Sequence, residues 1–131
     1  MNAPGGFGRA MLRKTGYERI AFVASPAPEA RKALAESPFT ASVVNLWELI
    51  LKRDKAGALV ADPLPWWEKY VAGTGIPALS IRSDDMRALA ALPDLHRDPF
   101  DRILVAQALA DGLTLATKDP LLSRYGVSVV W

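Results

Sequence analysis

No cysteine occurs among the 131 residues, which excludes both a disulfide framework and a thiolate-ligated zinc site. Histidine is nearly as scarce. His96 stands alone, so any histidine-based triad would rest on one side chain in a polar loop, where a solvated role is the expectation. No apolar run approaches the ~20 residues that a membrane span needs. The opening "MNAPGGFGRAMLRKTGYERIA" lacks the basic end, apolar run and small-residue cleavage site of a secretory signal. These absences lead us to expect a soluble, cytoplasmic chain with no membrane partner.

What is present is an ordinary globular balance. Half of the residues are hydrophobic and 23% are charged, in a length that suits one domain with its own core. The net charge of +2 is unevenly placed, because Arg9, Arg13, Lys14 and Arg19 face only Glu18 in the first 24 residues. The rest is close to neutral. A short basic leader of this kind is most often a solvated tail and is weak evidence for nucleic acid.

Along the chain, helical and strand patterns alternate. "IAFVAS" reads as a short buried strand, and "SPAPEARKALAES" as a helix capped by Ser25 and stopped at Ser37-Pro38. "FTAS" is the next strand. It leads into the helix "VVNLWELILKRDKAG", capped by Ser42 and ending near Gly57, with Leu46, Leu49 and Ile50 as an inward stripe. Trp47 reads as core and Asn45 as an exposed helix position. "DPLPWWEKYVAGTG" is a helix whose Trp66 and Trp67 divide between core and surface. "IPALSI" is a strand, and "RSDDMRALAALP" a helix begun by Ser83 or Asp84. A further helix in "DPFDRILVAQALADG", the strand "LTLAT", a short helix in "DPLLSRYG" and the strand "VSVVW" follow. Such alternation predicts an α/β fold with a parallel sheet covered on both faces.

The acids carry the chemistry. Asp98-Pro99-Phe100-Asp101 places an acceptor at a helix N-cap, proline at the first position and a second acid at the third, so capping and the helix dipole explain both acids. For Asp98 the cap is the favoured reading. In an open α/β sheet, however, ligands collect at the carboxyl ends of the strands. Three acids are predicted there: Glu48 after "FTAS", Asp101 before "LTLAT", and Asp119 directly after that strand. Their mutual repulsion is relieved by a divalent cation, and Mg²⁺ or Mn²⁺ prefers such oxygen ligands. Lys118 beside Asp119 could touch a phosphate, although a surface lysine is the simpler reading.

"LPDLHRDPFDRILVAQALADGLTLATKDPLLSRYGVSVVW" resembles the C-terminal half of PIN-domain proteins, especially VapC-type toxins of toxin–antitoxin modules. "ASVVNLWELILKRDKAGAL" resembles their middle segment. The likeness spans residues 37–131 and, through "PEARKALAES", runs from 26 onward. It implies a PIN-like three-layer α/β/α sandwich with a mainly parallel sheet and a metal-dependent endoribonuclease site. By motif position it implies that Glu48, Asp101 and Asp119 bind Mg²⁺ or Mn²⁺ and act in catalysis, with Asp98 as an extra acid or only the cap. It also implies an RNA substrate, a VapB-type antitoxin and a homodimer. Asn45 stands where members often carry a small hydroxyl residue.

The chain departs from the family at its start. Members open with a hydrophobic strand ending in Asp, yet no Asp precedes Asp54 here. Either "IAFVAS" is that strand without its acid, or "PEARKAL" is the family's second helix and residues 1–24 replace the first strand and helix. The second alignment is preferred because its spacing to "LWEL" needs no gap. It divides the chain into an atypical leader, 1–24, and a PIN-like domain, 25–131. The family's first strand sits centrally in the sheet, and its place would fall to "RIAFVAS" or to a second chain. The alternative to an active ribonuclease is a degenerate PIN fold that keeps antitoxin or RNA binding. An unrelated α/β domain whose acids are all caps is the third reading.

Overall fold

The structure, a computed structural model, describes residues 9–13, 39–56, 58, 60–117 and 119–130. The strand expected at "IAFVAS", the helix expected at "SPAPEARKALAES", and Lys118 lie outside the described residues. Among the described residues five strands form one sheet: β1 (Arg9–Arg13), β2 (Phe39–Ser42), β3 (Ala78–Leu79), β4 (Leu113–Thr117) and β5 (Ser128–Val130), in the order β3-β2-β1-β4-β5. β2 pairs with β3 and β4 with β5 in parallel, while β1 runs antiparallel to both of its neighbours. Among the described residues four helices accompany the sheet: α1 (Val43–Lys52), α2 (Pro63–Tyr70), α3 (Ser83–Ala91) and α4 (Pro99–Asp111). Short 3₁₀ turns cover Ala72–Thr74 and Pro120–Tyr125. This is the mainly parallel α/β architecture expected from the alternating pattern, with an atypical first strand.

That strand corrects one expectation. The central place assigned to "RIAFVAS" or a second chain is filled by residues 9–13, in register with Met11 opposite Thr40 on one side and Leu115 on the other. Strand pairing answers a physical need, since a gap there would leave two rows of backbone donors and acceptors without partners. Because β1 is reversed, its first residue, Arg9, lies in register with Thr117, the last residue of β4.

The helices begin and end where their caps dictate. Ser42 Oγ accepts the Val44 N–H at 3.1 Å, which starts α1 at the residue where β2 stops. Asp98 accepts from the N–H groups of Phe100 and Asp101, Pro99 follows at the first helical position, and Gly112 closes α4 at φ 64°. A left-handed residue at that position turns the chain straight into β4, and glycine adopts it without a Cβ penalty. α4 is the centre of the core. Every residue from Ile103 to Ala108 is buried, so the helix is apolar nearly all round, as a helix enclosed by its neighbours must be. Ile103, Leu104, Val105 and Ala108 pack with Val44, Leu113, Leu115, Leu122, Tyr125 and Val127.

The one polar residue in that buried stretch ties the elements together. Gln107 Oε1 accepts from Ser42 Oγ at 2.5 Å, and its Nε2 donates to the Ser80 carbonyl at 3.2 Å. One amide thus joins α4 to the end of β2 and to the residue after β3. At the start of α3 the wholly buried Asp85 accepts the Arg82 N–H at 2.7 Å, and the Arg82 guanidinium reaches on to Asp111 at the end of α4.

α1 differs from its expected form in length and in facing. It stops at Lys52, several residues before Gly57, because Arg53 to Ala56 are exposed and gain nothing by continuing the helix. Its buried residues are Val44, Asn45, Glu48 and Leu49. At 3.6 residues per turn, Trp47 falls roughly 130° away from the middle of that face. Trp47 is therefore 47% exposed rather than core. Leu46 and Ile50 are half-buried, and Trp66 and Trp67 are both buried instead of dividing between core and surface.

Candidate active site

Two acids reach one place from either side of β4. α4 passes into β4 through Gly112 alone, so it runs back along the strand and its N-terminus stands at the strand's carboxyl end, where α/β sheets bind ligands. The Asp98 cap fixes that N-terminus: its Oδ1 accepts from Phe100 N at 2.8 Å and Asp101 N at 3.4 Å. Asp101 is thereby held, buried, at the third position of α4. Beyond β4, Thr117 Oγ1 accepts the Asp119 N–H at 3.1 Å and bends the chain. Asp119 then caps the 3₁₀ turn, its Oδ1 accepting from Leu121 N at 3.0 Å. Its other oxygen turns towards His96.

His96 joins the two acids. Its Nε2 lies 3.1 Å from Asp119 Oδ2 and 3.5 Å from Asp101 Oδ2. One ligand atom from each of the three residues lies within 4.8 Å of the others, and this is the one such group of His and acidic side chains among the described residues. The loop that carries His96 is anchored. Arg102 Nη1 donates to the Pro93 carbonyl at 2.9 Å and to the Tyr125 hydroxyl at 3.2 Å, and the Asp98 N–H donates to His96 Nδ1 at 3.0 Å. The solvated role expected for His96 is therefore not what the structure places there; its side chain is only 19% exposed. Its position two residues before a capping Asp was the available signal, because that spacing lets the helix's capping residue hold the ring.

Glu48 is not one of this group. It is buried on the inner face of α1, with Oε2 2.6 Å from Lys52 Nζ. α1 nevertheless flanks the start of α4. Trp47 meets Phe100 edge-on with ring centroids 4.9 Å apart, and Lys52 lies 5.8 Å over the same ring. Of the three acids expected to converge, Asp101 and Asp119 meet through His96, and Glu48 holds a lysine beside them. Asp98 acts as the cap and is not in the group.

Asn45, one turn before Glu48, is 1% exposed rather than on the surface, and neither amide atom has a hydrogen-bond partner. Burying an unpaired amide costs about 1–3 kcal/mol. Such a cost is rare in folded chains and is met chiefly where function requires it. No apolar stripe in the sequence signals it, because Asn45 and Glu48 occupy the face that Leu46 and Ile50 were expected to take.

The donor chemistry of Asp101 and Asp119 suits a hard divalent cation. A carboxylate offers about four lone-pair positions, and the hydrogen bonds from Leu121 and His96 use only two of those on Asp119. Oxygen donors brought this close attract Mg²⁺ or Mn²⁺ class ions. No described helix is long and apolar enough to cross a membrane. In comparison with known families, residues 20–127 match the PIN domain. No curated protein matches the chain.

Proposed function

The chain belongs to the PIN domain family, whose members are generally metal-dependent nucleases that bind RNA, and from that premise we propose that it is a VapC-like endoribonuclease using Mg²⁺ or Mn²⁺. The observation that carries this reading is the meeting of Asp101 and Asp119 at His96, with ligand atoms within 4.8 Å. In it, Asp101 and Asp119 hold the cation. Glu48 is the third carboxylate, for which the cation competes with the half-exposed Lys52. When bound, a divalent cation supplies a more acidic water and neutralises charge on the phosphodiester. Asp101 and Asp119 fix its place at the carboxyl end of β4, and the anchored 93–98 loop brings His96 to both acids. The family likeness extends the proposal to a VapB-type antitoxin that covers the site and to a homodimer.

A second reading, a PIN fold that binds RNA or antitoxin without cutting, is favoured by one observation. The central strand reads Arg-Ala-Met-Leu-Arg, contains no acid and runs against its neighbours. Incubating the purified protein with structured RNAs separates the two. Cleavage that requires Mn²⁺ and stops with EDTA is the expected result; RNA retention on a filter without cleavage would install the second reading.

Asp98 provides a further test. Asparagine caps a helix about as well as aspartate, whereas alanine costs about 1 kcal/mol. If Asp98 serves only as the cap, Asp98→Asn keeps both the melting temperature and the cleavage rate, and Asp98→Ala lowers the first. Loss of cleavage in Asp98→Asn at an unchanged melting temperature would instead give this acid a place in the metal's ligand or water shell.

A further inference from the structure

We infer that His96 is a positioning residue for the cation site, acting as a fixed N–H donor to Asp119 and Asp101 and not as a ligand of the metal. The inference rests on the metal-site reading above and assigns a role to a residue outside the expected acid set.

The tautomer decides between donor and ligand. A neutral imidazole carries its proton on one nitrogen and a lone pair on the other. The Asp98 backbone N–H points at His96 Nδ1 at 3.0 Å, so Nδ1 must be the acceptor and the proton must sit on Nε2. Nε2 is the atom that faces the carboxylates, 3.1 Å from Asp119 Oδ2 and 3.5 Å from Asp101 Oδ2. A metal at Nε2 would need the opposite tautomer, with two N–H groups then confronting each other at Asp98. The helix start that presents Asp101 therefore also sets the ring that steadies Asp119.

Function follows from this restraint. Asp119 sits at the tip of a turn, one-third exposed, with its Oδ1 committed to the Leu121 N–H. Without a donor at Oδ2 the carboxylate is free to swing about its Oδ1 bond and away from Asp101. Donors hydrogen-bonded to carboxylate ligands orient them, and their removal typically lowers metal affinity by about 10–100-fold.

The test compares the full-length protein with His96→Ala, His96→Gln and His96→Asn. Glutamine's amide nitrogen stands at the Nε2 position, whereas asparagine's stands at Nδ1. Mn²⁺ affinity is read by EPR from the free ion, and electron spin-echo modulation reports any directly bound ¹⁴N. The expected result is a 10–100-fold loss of Mn²⁺ affinity in His96→Ala, recovery in His96→Gln, little recovery in His96→Asn, and no directly bound nitrogen in the unsubstituted protein. Equal affinity in His96→Ala, or failure of His96→Gln to recover it in a folded protein, would overturn the positioning role. A directly bound ¹⁴N would overturn it in favour of a ligand. Absence of Mn²⁺ binding in the unsubstituted protein would remove the metal-site reading itself, and the inference with it.

Discussion

Asp101→Asn is expected to reduce metal-dependent RNA cleavage by at least about 100-fold, the upper end of what loss of an outer-shell partner costs, with little change in stability. The two halves of this expectation have separate causes. Asparagine has the shape of aspartate, and α4 does not depend on residue 101 for its start, because Asp98 supplies the cap and Pro99 the first helical residue. Loss of a negative charge in the first turn costs about 0.3–1 kcal/mol. Loss of the repulsion between Asp101 and Asp119, which share His96 within 3.5 Å, offsets that cost. A cation held as proposed would, by contrast, lose a full charge from an oxygen donor that is buried at the N-terminus of α4. Cleavage rate with Mn²⁺ and a urea titration followed by circular dichroism measure the two effects. Undiminished cleavage in Asp101→Asn would remove Asp101 from the site and leave the acid as a helix-dipole partner.

Local chemistry made much of the fold legible. The caps at Ser42 and Asp98, proline at the head of α2 and α4, and glycine after α4 all stand where the sequence puts them, because each acts within four or five residues of itself. Of the three acids expected at the edge where helix starts and strand ends gather, Asp101 and Asp119 come together at His96, and Glu48 is not in that group. What failed depended on partners far along the chain. "RAMLR" has five residues between glycine-rich and basic stretches, and nothing within it says that Thr40 and Leu115 will flank it. The facing of α1 was misjudged because Leu46, Trp47 and Ile50 outweigh Asn45 and Glu48 in apolarity. Yet the polar pair is buried and Trp47 is not. Hydrophobic periodicity reads a helix by its cheapest burial, and here that rule breaks beside the site. His96 was passed over for a related reason: its anchors, Pro93, Arg102 and Tyr125, are assembled only by the packing of α4 against the last helical turn.

Met11→Pro is expected to have the largest effect on stability. Met11 is the middle residue of β1 and lies in register with Thr40 of β2 and Leu115 of β4. Proline removes its N–H, fixes φ near −65°, and is confined in sheets to edges, first residues and bulges. By comparison with a proline in a helix interior, the cost is on the order of 3 kcal/mol or more, a large part of the roughly 5–15 kcal/mol that holds a domain together. A fall in the urea midpoint, with loss of amide protection along β4, is the expected observation. If residues 9–13 were a solvated tail, as their composition suggests, the same substitution would change stability by less than about 0.5 kcal/mol, and the central strand would have to come from elsewhere. The consequence reaches the site. β1 is reversed, so its Arg9 end pairs with Thr117, and the Thr117 hydroxyl holds the turn that presents Asp119. A protein that survives Met11→Pro should therefore bind Mn²⁺ more weakly than the unsubstituted chain, because freeing the strand loosens the turn on which one of the two carboxylates is mounted.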